Sequence, residues 1–116
     1  MVKNKAIWVE AGYAVFGREG INGLNVEQLA KKLNKNKSSF YHYFGDMETF
    51  VESLLQYHLE RADQIAAKGA MCQSMDPDVI NLLVETTDDL LFNKQLRLHP
   101  QHPAFTACFD EAFEKI

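Results

Sequence analysis

Between Asn25 and Phe44 the chain reads NVEQLAKKLNKNKSSFYHYF, and the reactive-looking side chains there are of the kind that bind rather than catalyse. Lys37 with Tyr41, and Ser38 with His42, are i, i+4 pairs, so on a helix the four share one polar-aromatic patch. Lysine, hydroxyl and imidazole groups bond phosphate oxygens and base edges. Phe40 and Phe44, also four apart, give the same helix an apolar side to bury. An isolated eight-residue helix of this composition is about three times better explained by ordinary packing, with Tyr41 and Tyr43 half-buried and Lys37 merely solvated. What precedes it reverses that weighting.

The element needed to position such a helix is present immediately upstream. Asn25 is a good helix N-cap, because its side-chain oxygen can accept from a free backbone N–H of the first turn. Leu24 and Leu29 sit where a hydrophobic staple joins incoming chain to helix. Val26, Leu29, Ala30 and Leu33 follow the i, i+3, i+4, i+7 spacing of one buried stripe. Asn34 tolerates the left-handed conformation that ends a helix, and Asn36 can cap the next one, from Lys37 to about Tyr43. Two short helices around a tight polar turn are how a helix-turn-helix protein offers a recognition helix to the major groove. The candidate DNA-contacting residues are Asn25, Lys35, Asn36, Lys37, Ser38, Ser39, Tyr41, His42 and Tyr43.

A first helix from Lys3 to Arg18 carries Ile7, Trp8, Ala11, Ala14, Val15 and Phe16 as a broad apolar stripe, with Gly20 as terminator. From about Ala6 to Leu55 the chain resembles the DNA-binding domain of the TetR/AcrR family of bacterial transcriptional regulators. The resemblance rests on that first helix with its Phe16 and following glycine, on the helix-turn-helix, on the Y-x-Y-F ending at Tyr41-His42-Tyr43-Phe44, and on Gly45-Asp46-Met47-Glu48 opening a fourth helix. Met47 stands where the family often has a phosphate-touching lysine, and Asn34 where it often has glycine. The resemblance implies a dimer on a near-palindromic operator, repression as the default, and a small-molecule effector bound by the C-terminal body. It also implies more chain: members usually run nearly twice this length, so the sequence reads as a truncated piece or an unusually short relative.

Charge is distributed as that reading requires. The net charge of −4 argues alone against a nucleic-acid partner. Residues 1 to 45, however, carry seven basic and three acidic side chains, or +4, and residues 46 to 116 carry five and thirteen, or −8. A basic end joined to an acidic end is expected when only one end approaches phosphate.

The remainder reads as helix without strand patterns, so the expected class is all-α: a three-helix head, a long fourth helix and a partial helical body. The expected domains are 3–62 for the head and 63–116 for the start of an effector-binding and dimerisation body. The fourth helix should run from Met47 to about Lys68, roughly 33 Å at 1.5 Å per residue, with Gly69 ending it. Asp76-Pro77 should cap a fifth helix, with Ile80, Leu83, Val84, Thr87 and Leu91 as its inner stripe to about Phe92. Asp88 and Asp89 read as solvated surface, and His58 as a packed histidine. Pro103 should begin a last helix with Phe105, Cys108, Phe109, Ala112, Phe113 and Ile116 on one side. That Phe-rich face needs a cover, hence the expected homodimer.

Phe92, Phe105 and Phe109 are candidates for an effector pocket, which the resemblance implies, although core packing is the simpler role for each. No catalytic residues, metal ligands or cofactors are expected. His99 and His102 are separated by a proline that spoils helical ligand spacing, and no nucleophile–base pair is spaced for catalysis. Cys72 and Cys108 form no metal motif and read as free thiols. With no apolar run of eighteen residues and no secretory leader, a cytoplasmic protein is expected. The reading set against the regulator is a helical protein-interaction module that keeps the head fold without specific DNA binding.

Overall fold

The computed structural model describes residues 3–115; Ile116, expected on the inner side of the last helix, lies outside them. The described residues form seven α-helices and no strand. The head comprises α1 (Lys3–Glu19), α2 (Val26–Leu33) and α3 (Lys37–Phe44); α4 (Met47–Ala70) leads into α5 (Ile80–Glu85), α6 (Thr87–Leu98) and α7 (Pro103–Lys115).

The local signals that fix these boundaries are mostly side-chain caps. Asn25 accepts from the Gln28 amide at 3.1 Å, Asn36 from Ser38 at 3.3 Å and Asp46 from Thr49 at 2.7 Å. Each satisfies a donor that the first helical turn would otherwise leave open, worth typically about 1 kcal/mol. The Thr49 amide also holds the Asp46 carboxyl below its usual range. Asn34 takes the left-handed conformation, φ 54°, and its amide bonds the end of α2. Gly20 (φ 79°) lets the chain leave α1 into a single 3-10 turn at Ile21–Gly23.

The core joins these helices by large side chains. Trp8, Phe16, Phe40, Phe50 and Phe92 have no measurable exposure. Phe40 meets Trp8 edge-on at 5.5 Å and Phe50 at 5.0 Å, so α1, α3 and α4 are locked through one ring. Burying a phenylalanine contributes about 1.5–3 kcal/mol, well above what any exposed residue of α3 contributes to stability. Gly12 leaves room for the Phe50 ring of α4 against α1: a Cβ there would overlap that ring. The same cluster continues through Phe92, Leu96, Phe105 and Cys108, so the core does not stop at the expected head.

Beyond α4 three expectations need correction. Gly69 lies inside α4, which runs on to Ala70. Asp76 does not cap a helix; it is extended (φ −130°, ψ 119°) within a wide π-type turn at Met75–Val79, and Asp78 instead accepts from the Gln73 amide. The helix expected to continue to Phe92 is interrupted at Thr86 (φ −103°, ψ 17°), whose hydroxyl shares the Leu82 carbonyl, at 2.9 Å, with its own amide. The break reorients α5, leaving Ile80, Leu83 and Val84 exposed rather than inside.

A candidate nucleic-acid interface and a polar junction behind it

Helix α3 presents two chemically different sides. Phe40 and Phe44 are buried, while Lys37, Ser38, Tyr41 and His42 are exposed, Tyr41 with 52% of its surface free. A large aromatic left this open on a helix fixed by two buried ones is available for contact. Lys37 is not free of partners: its ammonium pairs with Glu27 of α2 at 3.2 Å.

The other predicted contact residues divide by placement. Lys35 is half-exposed in the turn, and Asn25 and Asn36 are exposed but have their side-chain oxygens engaged as caps. Asn36 also accepts from the Ser38 hydroxyl at 2.9 Å. Ser39 faces inward enough to accept from the Trp8 indole N–H at 3.2 Å, so its hydroxyl steadies α3 against α1. Tyr43 is half-buried and packs on the core, beside His42. The structure thus brings Lys37, Ser38, Tyr41 and His42 together on one open face, with Ser39 and Tyr43 on its inner margin.

Behind the head, α1, α4 and α6 meet in a polar cluster that sequence reasoning missed. Asp89, expected at the surface, is 5% exposed. Its carboxylate accepts from Arg61 through Nε and Nη2, both at 3.0 Å, and from the Tyr13 hydroxyl at 2.8 Å. Tyr13 Oη also lies 2.7 Å from His58 Nδ1, and His58 Nε2 lies 3.1 Å from the Asn93 amide oxygen. Burial, then the Asp89 charge, raises the Tyr13 hydroxyl far above the ordinary tyrosine range. Burial pulls His58 below its ordinary value, with Asn93 and Asp89 opposing. No buried side-chain polar atom among the described residues lacks a partner. The one available signal was spacing: Leu54, His58 and Ala62 form an inward i, i+4, i+8 row.

His58, Asp89 and Asn93 also border a cavity of about 1000 Å³ between α4, α5, α6 and α7, otherwise lined mainly by apolar residues including Ile65, Leu82, Leu90 and Phe113. The expected pocket aromatics are elsewhere. Phe92 is stacked on Tyr13 at 4.3 Å, Phe105 meets Phe16 edge-on at 5.6 Å, and Phe109 packs half-buried on the core. None of the three lines the cavity, to which α6 and α7 instead contribute Asp89, Leu90, Asn93, Ala112 and Phe113. No helix among the described residues is long and apolar enough to cross a membrane.

Residues 9–54 match the family model of bacterial regulatory proteins of the tetR family. The head is a TetR-family domain. The matched span holds all nine predicted contact residues of this TetR-family head, from Asn25 to Tyr43. A curated HTH-type transcriptional regulator of Bacillus subtilis (strain 168), YuxN, itself uncharacterized, is 28% identical over 61 residues, covering 53% of this chain and 21% of the relative. A crystal structure from Rhodococcus sp., described as a TetR-family transcriptional regulator, superposes with TM-score 0.72 at 20% identity, over 98% of this chain and 65% of that one. The TetR-type fold therefore extends past the head through α7. The chain spans about a fifth of the curated relative and about two thirds of the structural neighbour.

Proposed function

We propose that this chain is the DNA-binding part, with the beginning of the regulatory body, of a sequence-specific transcriptional regulator that acts by binding rather than catalysis. The observation that carries it is α3: an open Lys37–Ser38–Tyr41–His42 face backed by fully buried Phe40 and Phe44. Residues 3–62 act as the head and 63–116 as the start of the effector-binding and dimerisation body. In the cytoplasm, two copies sit on a near-palindromic operator, each α3 in a major groove about one helical turn from its partner. Repression is the default, and a small molecule in the body releases it by favouring a head spacing that no longer fits. The cavity beside α4 supports the last part, since its volume is at the upper end of that of small-molecule sites.

Mobility shifts with genomic fragments at low salt test this, comparing the parent with Lys37→Ala and Tyr41→Ala. A specific shift is expected, and losing one phosphate contact at Lys37 should reduce the salt slope of log K by about 0.9. No shift with any fragment would reject the reading. A second reading, a protein-interaction module, is favoured by one observation: Ile80, Leu83, Val84 and Phe113 are exposed apolar side chains on the body. Retained folding without any DNA shift would leave that reading standing.

A further inference from the structure

Residues 25–44 hold four lysines, Lys31, Lys32, Lys35 and Lys37, and one acidic side chain, Glu27. Glu27 lies in the first turn of α2, with Lys31 four residues on, the spacing at which a glutamate ordinarily pairs along its own helix. Its carboxylate reaches instead across the turn to Lys37, the first residue of α3, at 3.2 Å. Of the four lysines, Lys37 is the one with a carboxylate partner among the described residues.

Folding does not account for that choice. Both side chains are more than half exposed, and an ion pair this open contributes little to stability. The first turn of α2 is already capped by Asn25, which accepts from the Gln28 amide. A favourable interaction with the helix dipole is open to any carboxylate in that turn and does not require contact with Lys37.

On docking, place and charge both bear on this carboxylate. The N-terminal residues of a recognition helix meet base edges, while the first helix of the pair crosses the backbone. Glu27 stands where the two helices come together, beside the leading residue of α3. Once a phosphate takes the Lys37 ammonium, the carboxylate is left without its counter-charge. Ionised, it can only accept. The donors on the major-groove edges are the N4 amine of cytosine and the N6 amine of adenine, whereas guanine and thymine present acceptors there. Adenine sets its N7 acceptor beside the amine, where it faces the second carboxylate oxygen. Cytosine has a C–H at that place and repels nothing.

Resting on the DNA-binding reading above, we propose that Glu27 selects a cytosine in each half-site. The Lys37 ammonium passes to phosphate, and the carboxylate it releases accepts a hydrogen bond from the cytosine N4 amine. Guanine or thymine at that position leaves a charge with no partner, and adenine sets an acceptor against it. The preference therefore comes as much from rejection as from attraction.

The test is selection from a random duplex pool at low salt, with this chain as parent beside Glu27→Ala and Glu27→Gln. The parent should enrich cytosine at one position per half-site and lose about tenfold in affinity when that C·G pair becomes T·A. Glu27→Ala should bind those two duplexes within about twofold of each other, while the other selected positions keep their preferences. Glu27→Gln, whose amide both donates and accepts, should move the preference at that position to adenine. Neither variant touches the core, and circular dichroism should show both folded. If Glu27→Ala still enriches cytosine at every position the parent does, or if both variants bind all duplexes more tightly with base preference unchanged, Glu27 is only a repelling charge and the assignment is overturned. A parent that enriches no sequence rejects the regulator reading and the assignment with it; enrichment that no substitution at Glu27 alters rejects the assignment alone.

Discussion

Replacing Asp89 by Asn preserves the side chain's shape but removes its charge and turns one acceptor into a donor. In the folded protein that carboxylate receives two bonds from Arg61 and one from Tyr13. After the change, the amide nitrogen faces an Arg61 donor in either orientation, Nη2 at the Oδ2 position or Nε at the Oδ1 position, and that bond becomes a donor–donor clash. Breaking a buried ion pair by removing one partner costs about 3–5 kcal/mol. Arg61 keeps about a fifth of its side chain in solvent and can turn outward, which brings the expected cost down to about 2–3 kcal/mol. For a domain of this size that lowers Tm by roughly 8–12 °C. Thermal denaturation followed by circular dichroism at pH 7 measures it, in a double-mutant cycle with Arg61→Met to isolate the pair. A fall in Tm of less than about 3 °C would place Asp89 among ordinary solvated carboxylates and refute the cluster's structural role.

Gly12→Ala should destabilise by about 1–3 kcal/mol, because the new methyl meets the Phe50 ring, whose Cε2 would lie 2.7 Å away; adding Phe50→Leu should restore part of the loss in urea denaturation. Burial, opposed by Asn93 and Asp89, sets His58 below its ordinary value of 6.5. The unfolded chain therefore takes up the proton first as pH falls, so the His58 contribution is complete above about pH 6.5 and is lost below it. Urea denaturation between pH 7.5 and 5 should show that loss, and His58→Gln should flatten it; an unchanged slope in the variant would contradict the burial. The Cys108 thiol is pushed up to about 12 by burial first and Glu111 second. Iodoacetamide should therefore modify the half-buried Cys72 well before Cys108, as read by peptide mass spectrometry, and equal rates would mean that the Cys108 face of α7 is not packed on α4.

How much was legible depended on how far apart the partners lie in sequence. Asn25, Asn36, Asp46 and the left-handed Asn34 act on backbone groups within four residues, and all four take the conformations their types suggest. The inward setting of Phe40 and Phe44 follows from spacing alone. Asp89 could not be read this way, because its partners Arg61 and Tyr13 are 28 and 76 residues distant. Ser39 looked outward beside Ser38 until Trp8, 31 residues earlier, supplied its donor. Thr86 hid a helix break behind an unbroken apolar period, since nothing local distinguishes a threonine that bonds back to Leu82 from one that does not. The pocket was misplaced for a separate reason: Phe92, Phe105 and Phe109 are taken up by the core, and the cavity is lined by residues such as Leu90, Asn93 and Phe113 instead.

The ammonium of Lys37 spends the unbound state on a carboxylate from the neighbouring helix. Any phosphate that claims it must turn Glu27 aside, so the gain on contact is the difference between two anions. A polyanion offering no further bonds to Tyr41 or His42 collects only that small difference, while Glu27 itself repels the backbone beside it. On the DNA-binding reading proposed above, the pair would act as a brake on indiscriminate adhesion, built from one residue on each helix of the turn.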